Sequence, residues 1–390
     1  FMKQKIAILG STGSIGKSLL RVVSRNKNKF QIYLLTGNKN YKTLLRQAEK
    51  FKVKNIIITD KRFYNIAKSK NNMNKVKIFN NFDNFDKIFP KKIDYVMSSI
   101  VGLNGLVPTL KIIKFTEKIA IANKESIICA WNLIKKELNK HKTKFVPVDS
   151  EHFSIWYALK NNSSLNLDKL YLTASGGPLL NVPIKKFKNL KKSEIINHPN
   201  WRMGAKISVD SSTMINKVFE IIEAKKIFNL NYNQLSILIH PKSYVHTIIK
   251  FKDGMIKIIA HDTTMEIPIY NTLNQNGIKK IKSKNINLKK LNNLELIKIS
   301  PKKFPITRIL KKLPKKDSLF ETILVTFNDE LVRLFLEKKI PYTGLLIGLL
   351  KLLTKKEFVK YKFIEPKKIT DILNLNKEIK SKIINNEYNL

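Results

Sequence analysis

Short apolar runs punctuate residues 3–149: KIAILG, QIYLL, NIIIT, KVKIF, DYVMSS, KIAIA and KFVPV. Between them lie stretches with helical spacing of apolar positions, such as SIGKSLLRVVS and LVPTLKIIKF. Strands alternating with helices predict a doubly wound parallel sheet over residues 1–149. Residues 150–274 mix helical stretches with the strand-like KLYLTAS, LSILIH, YVHTIIKF and MIKIIA. The last three have no helix between them, which predicts a meander or mixed sheet and an α+β domain. Residues 275–303 are rich in Lys and Asn and lack periodicity, as expected of a linker. From 304 to 390 the pattern turns helical, in LFETILVTFNDELVRLFLEKK and YTGLLIGLLKLLTKKEF, and predicts a helical domain.

The turn after the first strand reads GSTGSIG, residues 10–16. Its glycines permit a tight strand-to-helix turn and close approach of a ligand to the backbone. The helix starting near Ser14 offers free N–H groups and a positive dipole end to a pyrophosphate. The expected reading is a Rossmann-like nucleotide site, against a purely structural turn. The second strand ends in LLTGNKN, where an NAD-specific site places an acid for the ribose. Lys39 and Asn40 suit a 2′-phosphate instead, so NADPH is the expected cofactor; otherwise Lys39 is a solvated loop lysine.

Two acids, Asp149 and Glu151, flank Ser150 in PVDSEH. If the strand runs through them, both side chains leave one face and offer hard oxygen donors to Mg²⁺ or Mn²⁺. Otherwise the segment caps a following helix. The stretch SVDSSTMINKVFEIIEAKKIF reads as a helix after an Asp/Ser-rich cap. It brings Asn216, Lys217 and Glu220 to adjoining parts of one face. Glu220 can complete a three-carboxylate site, or the group is a surface ion pair. TASGGPL places Ser175 in a potential anion-binding turn, and HPNWRMG sets His198, Trp201 and Arg202 in a Pro/Gly-bounded lid. His240 and His246, in LIHPKSYVH, read as structural.

Lys and Arg number 74 against 29 Asp and Glu, a net charge of +45. A nucleic-acid binder would gather them in a patch interleaved with aromatics. Here they are spread over every segment, with abundant Asn and Ile, as A+T-rich codons produce. The lone Cys129, in SIICAW, excludes a disulfide framework. Its apolar setting also argues against another NADP-dependent dehydrogenase working through a thiol. No apolar run approaches a membrane span, and FMKQKIAILG runs directly into a strand, so a cytoplasmic protein is expected.

Taken in order, GSTGSIG, ANKES, PVDSEH, TASGGP, HPNWRMG, KISVDSSTMINK with Glu220, and LIHPKSYVH resemble the 1-deoxy-D-xylulose-5-phosphate reductoisomerase family. The resemblance implies rearrangement and NADPH-dependent reduction of 1-deoxy-D-xylulose 5-phosphate to 2-C-methyl-D-erythritol 4-phosphate, in the non-mevalonate isoprenoid pathway. It implies that Asp149, Glu151 and Glu220 hold Mg²⁺ or Mn²⁺. By the same resemblance Lys124 and Ser150 would touch the substrate beside the cation, and Ser175, His198, Trp201, Ser211, Asn216 and Lys217 would hold its backbone and phosphate. Lys124 and His198 would join the three carboxylates as the catalytic set. Thr12, Gly13, Ser14, Ile15, Lys39, Asn40, Asn123, Glu125 and Gly204 would contact NADPH. Residues 195–204 form a flap, the third domain is a helical bundle, and the family implies a homodimer without membrane or specific nucleic-acid partners. Departures from the family pattern fall at Asn38, at Arg202 and across Thr326–Glu330.

Overall fold

The computed structural model describes residues 3–69, 76–160, 166–201, 203–274, 281 and 283–385, the side chains of 352–354 excepted. The chain divides into two compact units. The first comprises Phe1–Ser126, Leu133–Asp149 and Met265–Lys282, and the second Ile127–Asn132, Ser150–Thr264 and Ser283–Leu390.

In the first unit the expected runs form β1 (Gln4–Leu9), β2 (Phe30–Gly37), β3 (Asn55–Ile58), β4 (Lys77–Phe79), β5 (Tyr95–Ser98), β6 (Lys118–Ile121) and β7 (Lys144–Pro147). They make one parallel 7-stranded sheet in the order β4-β3-β2-β1-β5-β6-β7. The chain winds outward from β1 to β4, then returns to place β5 beside β1. That reversal is the switch point where doubly wound sheets bind ligands, and the glycine turn lies at its carboxyl end. Ile6, Ile8, Leu19, Leu35, Ile56 and Met97 are fully buried in its core. Each such side chain stabilises the fold by about 1.5–3 kcal/mol.

Gly16 shows why the turn has its spacing. A Cβ there would lie 2.5 Å from the Gly10 carbonyl oxygen and from Ser11 Cα. Only glycine lets the helix Ser14–Ser24 begin this close to β1.

The segment 265–282 returns to this unit. Ile269, Tyr270 and Leu273, on the helix Glu266–Leu273, enter the core. Tyr95 Oη and Thr272 Oγ1 lie 2.8 Å apart, and Lys118 Nζ donates to the Thr272 carbonyl at 2.8 Å. Arg21 and Arg25 grip Glu266 at 2.8 and 2.5 Å, but both arginines are more than half exposed. Surface pairs of this kind add little, so apolar burial does most of the anchoring.

The second unit contains a 5-stranded mixed sheet, β8 (Leu167–Ala174), β9 (Leu235–Ile239), β10 (Val245–Phe251), β11 (Ile256–Ala260) and β12 (Ile297–Lys298), ordered β11-β10-β8-β9-β12. Strands β8 and β9 are parallel; the other pairings are antiparallel. β12 lies within the expected linker, of which residues 275–280 and 282 fall outside the described residues. The expected divisions at 274 and 303 differ from the compact grouping, which joins 283–390 to 150–264. The helix Phe320–Leu336 packs against the helices Tyr342–Thr354 and Ile369–Ile384. Among the described residues no helix is long and apolar enough to cross a membrane.

Gly16→Ala is expected to lower stability by about 1–3 kcal/mol, the usual range for overpacking. Denaturant titration checks this, and an unchanged midpoint would show that the turn can relax around a methyl group.

Candidate active site

The glycine turn is pinned from below. Gly10 N and Ser11 N donate to Thr36 Oγ1 and the Thr36 carbonyl at 2.9 Å each, and Ser11 Oγ donates to Gln47 Oε1 at 2.7 Å. Gly13 caps the helix without a side-chain hydrogen bond. Gly13 thus offers the first-turn N–H groups no side-chain acceptor, as suits an anion site. Gly13, Ser14, Lys39 and Asn40 are exposed, while Thr12 and Ile15 are half-buried. Asn123 and Glu125 are buried. The Asn123 amide donates to the carbonyls of Ile100 and Gly102, and its oxygen accepts from Ser126 N at 2.6 Å. This side chain orders the loop after β5 and caps the helix Lys124–Lys140. Lys124, the first residue of that helix, lies 3.0 Å from Asp149 Oδ2.

In PVDSEH, β7 ends at Pro147 and a helix begins at Ser150. The alternative of a strand running through both acids does not hold, and Glu151 occupies the first turn of the helix Ser150–Ala158. The stretch 205–228 also departs from expectation. The Asp/Ser-rich part is itself the helix Ala205–Thr213, and Met214, at φ 66°, separates it from the helix Ile215–Phe228. The second helix is buried around most of its circumference, so its polar residues form no surface ion pair.

Lys217 is 4% exposed and Glu220 1%. The Lys217 ammonium donates to Glu151 Oε1 at 2.6 Å, to the Thr173 carbonyl at 2.7 Å, and to Glu220 Oε2. Burial alone would lower the Lys217 pKa; the two carboxylates outweigh it and hold the group well above its ordinary value. Asn216 Nδ2 donates to Glu220 Oε1 at 2.5 Å, and Ser150 Oγ to Glu151 Oε2 at 2.6 Å. Oxygens of Glu151 and Glu220 lie within 4.8 Å of each other. One ammonium against two carboxylates leaves a buried negative charge, made of hard oxygen donors that suit a divalent cation.

Ser175 and His198 come together 23 residues apart in sequence. His198 Nδ1 accepts from the backbone N–H groups of Asn200 and Trp201, each at 3.1 Å. Its proton therefore sits on Nε2, which donates to Ser175 Oγ at 2.9 Å. Ser175 Oγ also accepts from Gly177 N at 3.0 Å, so its own proton can point to an incoming oxygen. Gly176 and Gly177 have φ of 87° and 67°, and a Cβ on Gly177 would lie 2.7 Å from the Ser211 carbonyl oxygen. The TASGGP turn thus rests directly on the helix carrying Ser211. Trp201 is half-buried and packs edge-to-face with His246, the ring centroids 6.1 Å apart. Gly204 caps the helix Ala205–Thr213, and Arg202 lies outside the described residues. His240 and His246 are buried against the carbonyls of Glu295 and His261, in keeping with structural roles.

Comparison with known proteins bears on the whole chain. The family model for 1-deoxy-D-xylulose 5-phosphate reductoisomerase matches residues 6–131, and two models for C-terminal domains of the same enzyme match 145–228 and 262–382. The 1-deoxy-D-xylulose 5-phosphate reductoisomerase of Pelagibacter ubique is 57% identical over 97% of this chain and 98% of its own. The chain belongs to the 1-deoxy-D-xylulose 5-phosphate reductoisomerase family. A Clostridium novyi relative of the same name is 35% identical over 99% of this chain and 100% of its own. The Zymomonas mobilis reductoisomerase, solved with NADPH, superposes with a TM-score of 0.87 at 27% identity over 100% of both chains. A DOX-P reductoisomerase solved with NADPH, fosmidomycin and magnesium gives 0.89 at 31% identity over 97% of each.

In this member of the family, two sets of supporting residues escape a sequence reading. His152 donates from Nε2 to the Glu220 carbonyl at 2.9 Å and lies 3.9 Å from Glu223. It ties together the helices that carry Glu151 and Glu220; its place beside Glu151 was the only available signal. Asp210 accepts from Asn328 Nδ2 at 2.8 Å, and Lys206 bridges Asp210 and Asp329 at 3.1 and 3.0 Å. Thr326–Glu330, where the sequence departs from the family pattern, therefore fastens the helix Ala205–Thr213, which follows the expected flap.

Burial holds His198 down to about 4 from its ordinary 6.5. The unfolded chain takes up a proton near pH 6.5 that the folded chain refuses until about 4, so stability should fall as pH drops through that window. NMR titration of the His198 ring checks this, and a midpoint near 6.5 would contradict the effect of burial on the ring.

Proposed function

We propose that the chain carries out the reductoisomerase reaction through a division of labour. The first unit holds NADPH on the glycine turn, and the second holds the metal and the sugar phosphate. The enzyme uses NADPH and a divalent cation to convert 1-deoxy-D-xylulose 5-phosphate to 2-C-methyl-D-erythritol 4-phosphate. The family match along nearly the whole chain carries this conclusion.

Asp149, Glu151 and Glu220 are the residues that would hold Mg²⁺ or Mn²⁺. The buried negative charge of the Glu151–Lys217–Glu220 trio supports this, as does the position of Asp149 two residues before Glu151 on the chain. When bound, the cation supplies Lewis-acid polarisation of the substrate oxygens, and NADPH supplies the hydride. Lys217 and Asn216 fix the carboxylate oxygens in place. Ser175 and His198 supply neutral donors for phosphate oxygens, with Ser211 on the adjoining helix. Lys124 supplies a cation beside Asp149. Trp201, in the flap 195–204, covers the bound substrate and excludes water. On the cofactor side, Thr12, Gly13, Ser14 and Ile15 receive the pyrophosphate, and Lys39 and Asn40 the 2′-phosphate. Asn123 and Glu125 shape the loops beneath, and Gly204 contributes backbone.

A homodimer is the proposed assembly. β11 ends its sheet and carries exposed Ile256 and Ile258, with exposed Met255 just before it. A bare apolar edge strand invites pairing with a second copy. The single, buried cysteine fits a reducing cytoplasmic setting.

Glu220→Gln is expected to lower kcat/KM roughly 100-fold or more while the Kd for NADPH stays nearly unchanged. Steady-state NADPH oxidation and cofactor fluorescence measure the two quantities. Retained turnover at saturating Mn²⁺ would remove Glu220 from the metal site.

Ile258→Arg is expected to shift the protein from dimer to monomer in sedimentation velocity. A variant that sediments like the wild type would place the interface elsewhere.

A further inference from the structure

A cavity of about 730 Å³ opens on the second unit beside the helix Lys192–Ile196 and the C-terminal end of the helix Phe320–Leu336. None of its lining residues belongs to the carboxylate trio or to the Ser175–His198 pair. Its apolar wall is formed by Ile196, Phe335, Ile340 and Pro341. Lys191, Lys192, Lys338 and Lys339 surround that wall.

Two of these four cations are already committed. Lys192 Nζ donates to the Leu336 carbonyl at 2.7 Å, where it serves the helix C-terminus. Lys339 pairs with Glu337 at 2.9 Å, and Glu337 is shared with Arg333. Glu194, the other nearby acid, accepts the Lys191 backbone N–H at 2.7 Å. Among the described residues Lys191 and Lys338 make no ion pair, and both are exposed. The Lys338 backbone is held at φ 62° by its N–H bond to the Phe335 carbonyl at 3.0 Å, which fixes where its side chain starts.

We propose that this cavity binds an amphiphilic organic anion, a phosphate monoester with an unbranched apolar tail. The hydrocarbon wall takes the tail, and Lys191 and Lys338 take the head through charge-assisted hydrogen bonds. The volume lies within the range of small-molecule sites. A bare anion would leave the wall wet, and a neutral lipid would leave two ammonium groups unanswered, so neither part suffices alone. The site lies at the root of the flap, because Ile196 is two residues from His198. This inference goes beyond the reductoisomerase reading and does not depend on it.

The test is calorimetric titration of n-octyl phosphate, below its micellar range, into the full-length protein. Excess 2-C-methyl-D-erythritol 4-phosphate is present to occupy the catalytic phosphate site. Saturable binding is expected, with inorganic phosphate and n-octanol each about tenfold weaker or more. Two separate variants, Lys191→Glu/Lys338→Glu and Ile340→Ser, should each weaken n-octyl phosphate about tenfold. The lysine substitutions lie on exposed side chains, so that variant keeps its fold if the second one does not. No heat of binding, or the same affinity in folded variants as in the wild type, would overturn the proposal. Binding seen only without the product would assign the anion to the catalytic site and would overturn it equally.

Discussion

The buried ammonium of Lys217 is the constraint on which the second unit depends. It stands between Glu151, on one helix, and Glu220, on another, and a third bond reaches the Thr173 carbonyl near the end of β8. Taking these charges out of water is unfavourable, and only their mutual contact offsets it. Removing one partner would strand a buried charge at a cost of about 3–5 kcal/mol. Two helices and a strand are therefore held in a single geometry. The same trio remains net negative, so the arrangement that stabilises the fold also leaves an attraction for a cation.

The position of the acids in PVDSEH follows from this. Asp149 is the last residue of the first unit and Ser150 the first of the next stretch of the second. The two acids straddle one of the peptide bonds at which the chain passes from one unit to the other. Asp149 is partnered by Lys124 in the first unit and Glu151 by Lys217 in the second, so each acid has a local cation that limits its motion. The pair proposed for the phosphate is built differently. A neutral His198 donates to Ser175 Oγ, and neither group adds charge.

The parallel sheet was legible because buried parallel strands read as continuous apolar runs, and all of the expected runs in residues 3–149 became strands. The glycine turn was legible because Gly16 answers a steric demand that no other residue meets. Other features carried no local signal. Met214 breaks the 205–228 stretch without glycine or proline, through a left-handed backbone that tertiary packing enforces. β12 is two residues long and exposed. The pairings that define the site join residues 66 apart for Glu151 and Lys217, and 118 apart for Asp210 and Asn328. Residue types and order named the family and most of the candidate groups. They could not show that Lys217 binds the carboxylates, or that Asn328 and Asp329 secure the helix Ala205–Thr213.

The central claim is that Glu151, held by Lys217, is a ligand of the catalytic cation. Electron paramagnetic resonance of Mn²⁺ titrated into the protein tests it without relying on turnover. The account predicts a tight, saturable fraction of bound Mn²⁺ in the wild type that is lost in Glu151→Gln, while that variant still binds NADPH. Mn²⁺ bound equally well by the folded variant would contradict it and would leave the Glu151–Lys217–Glu220 trio with a structural role alone.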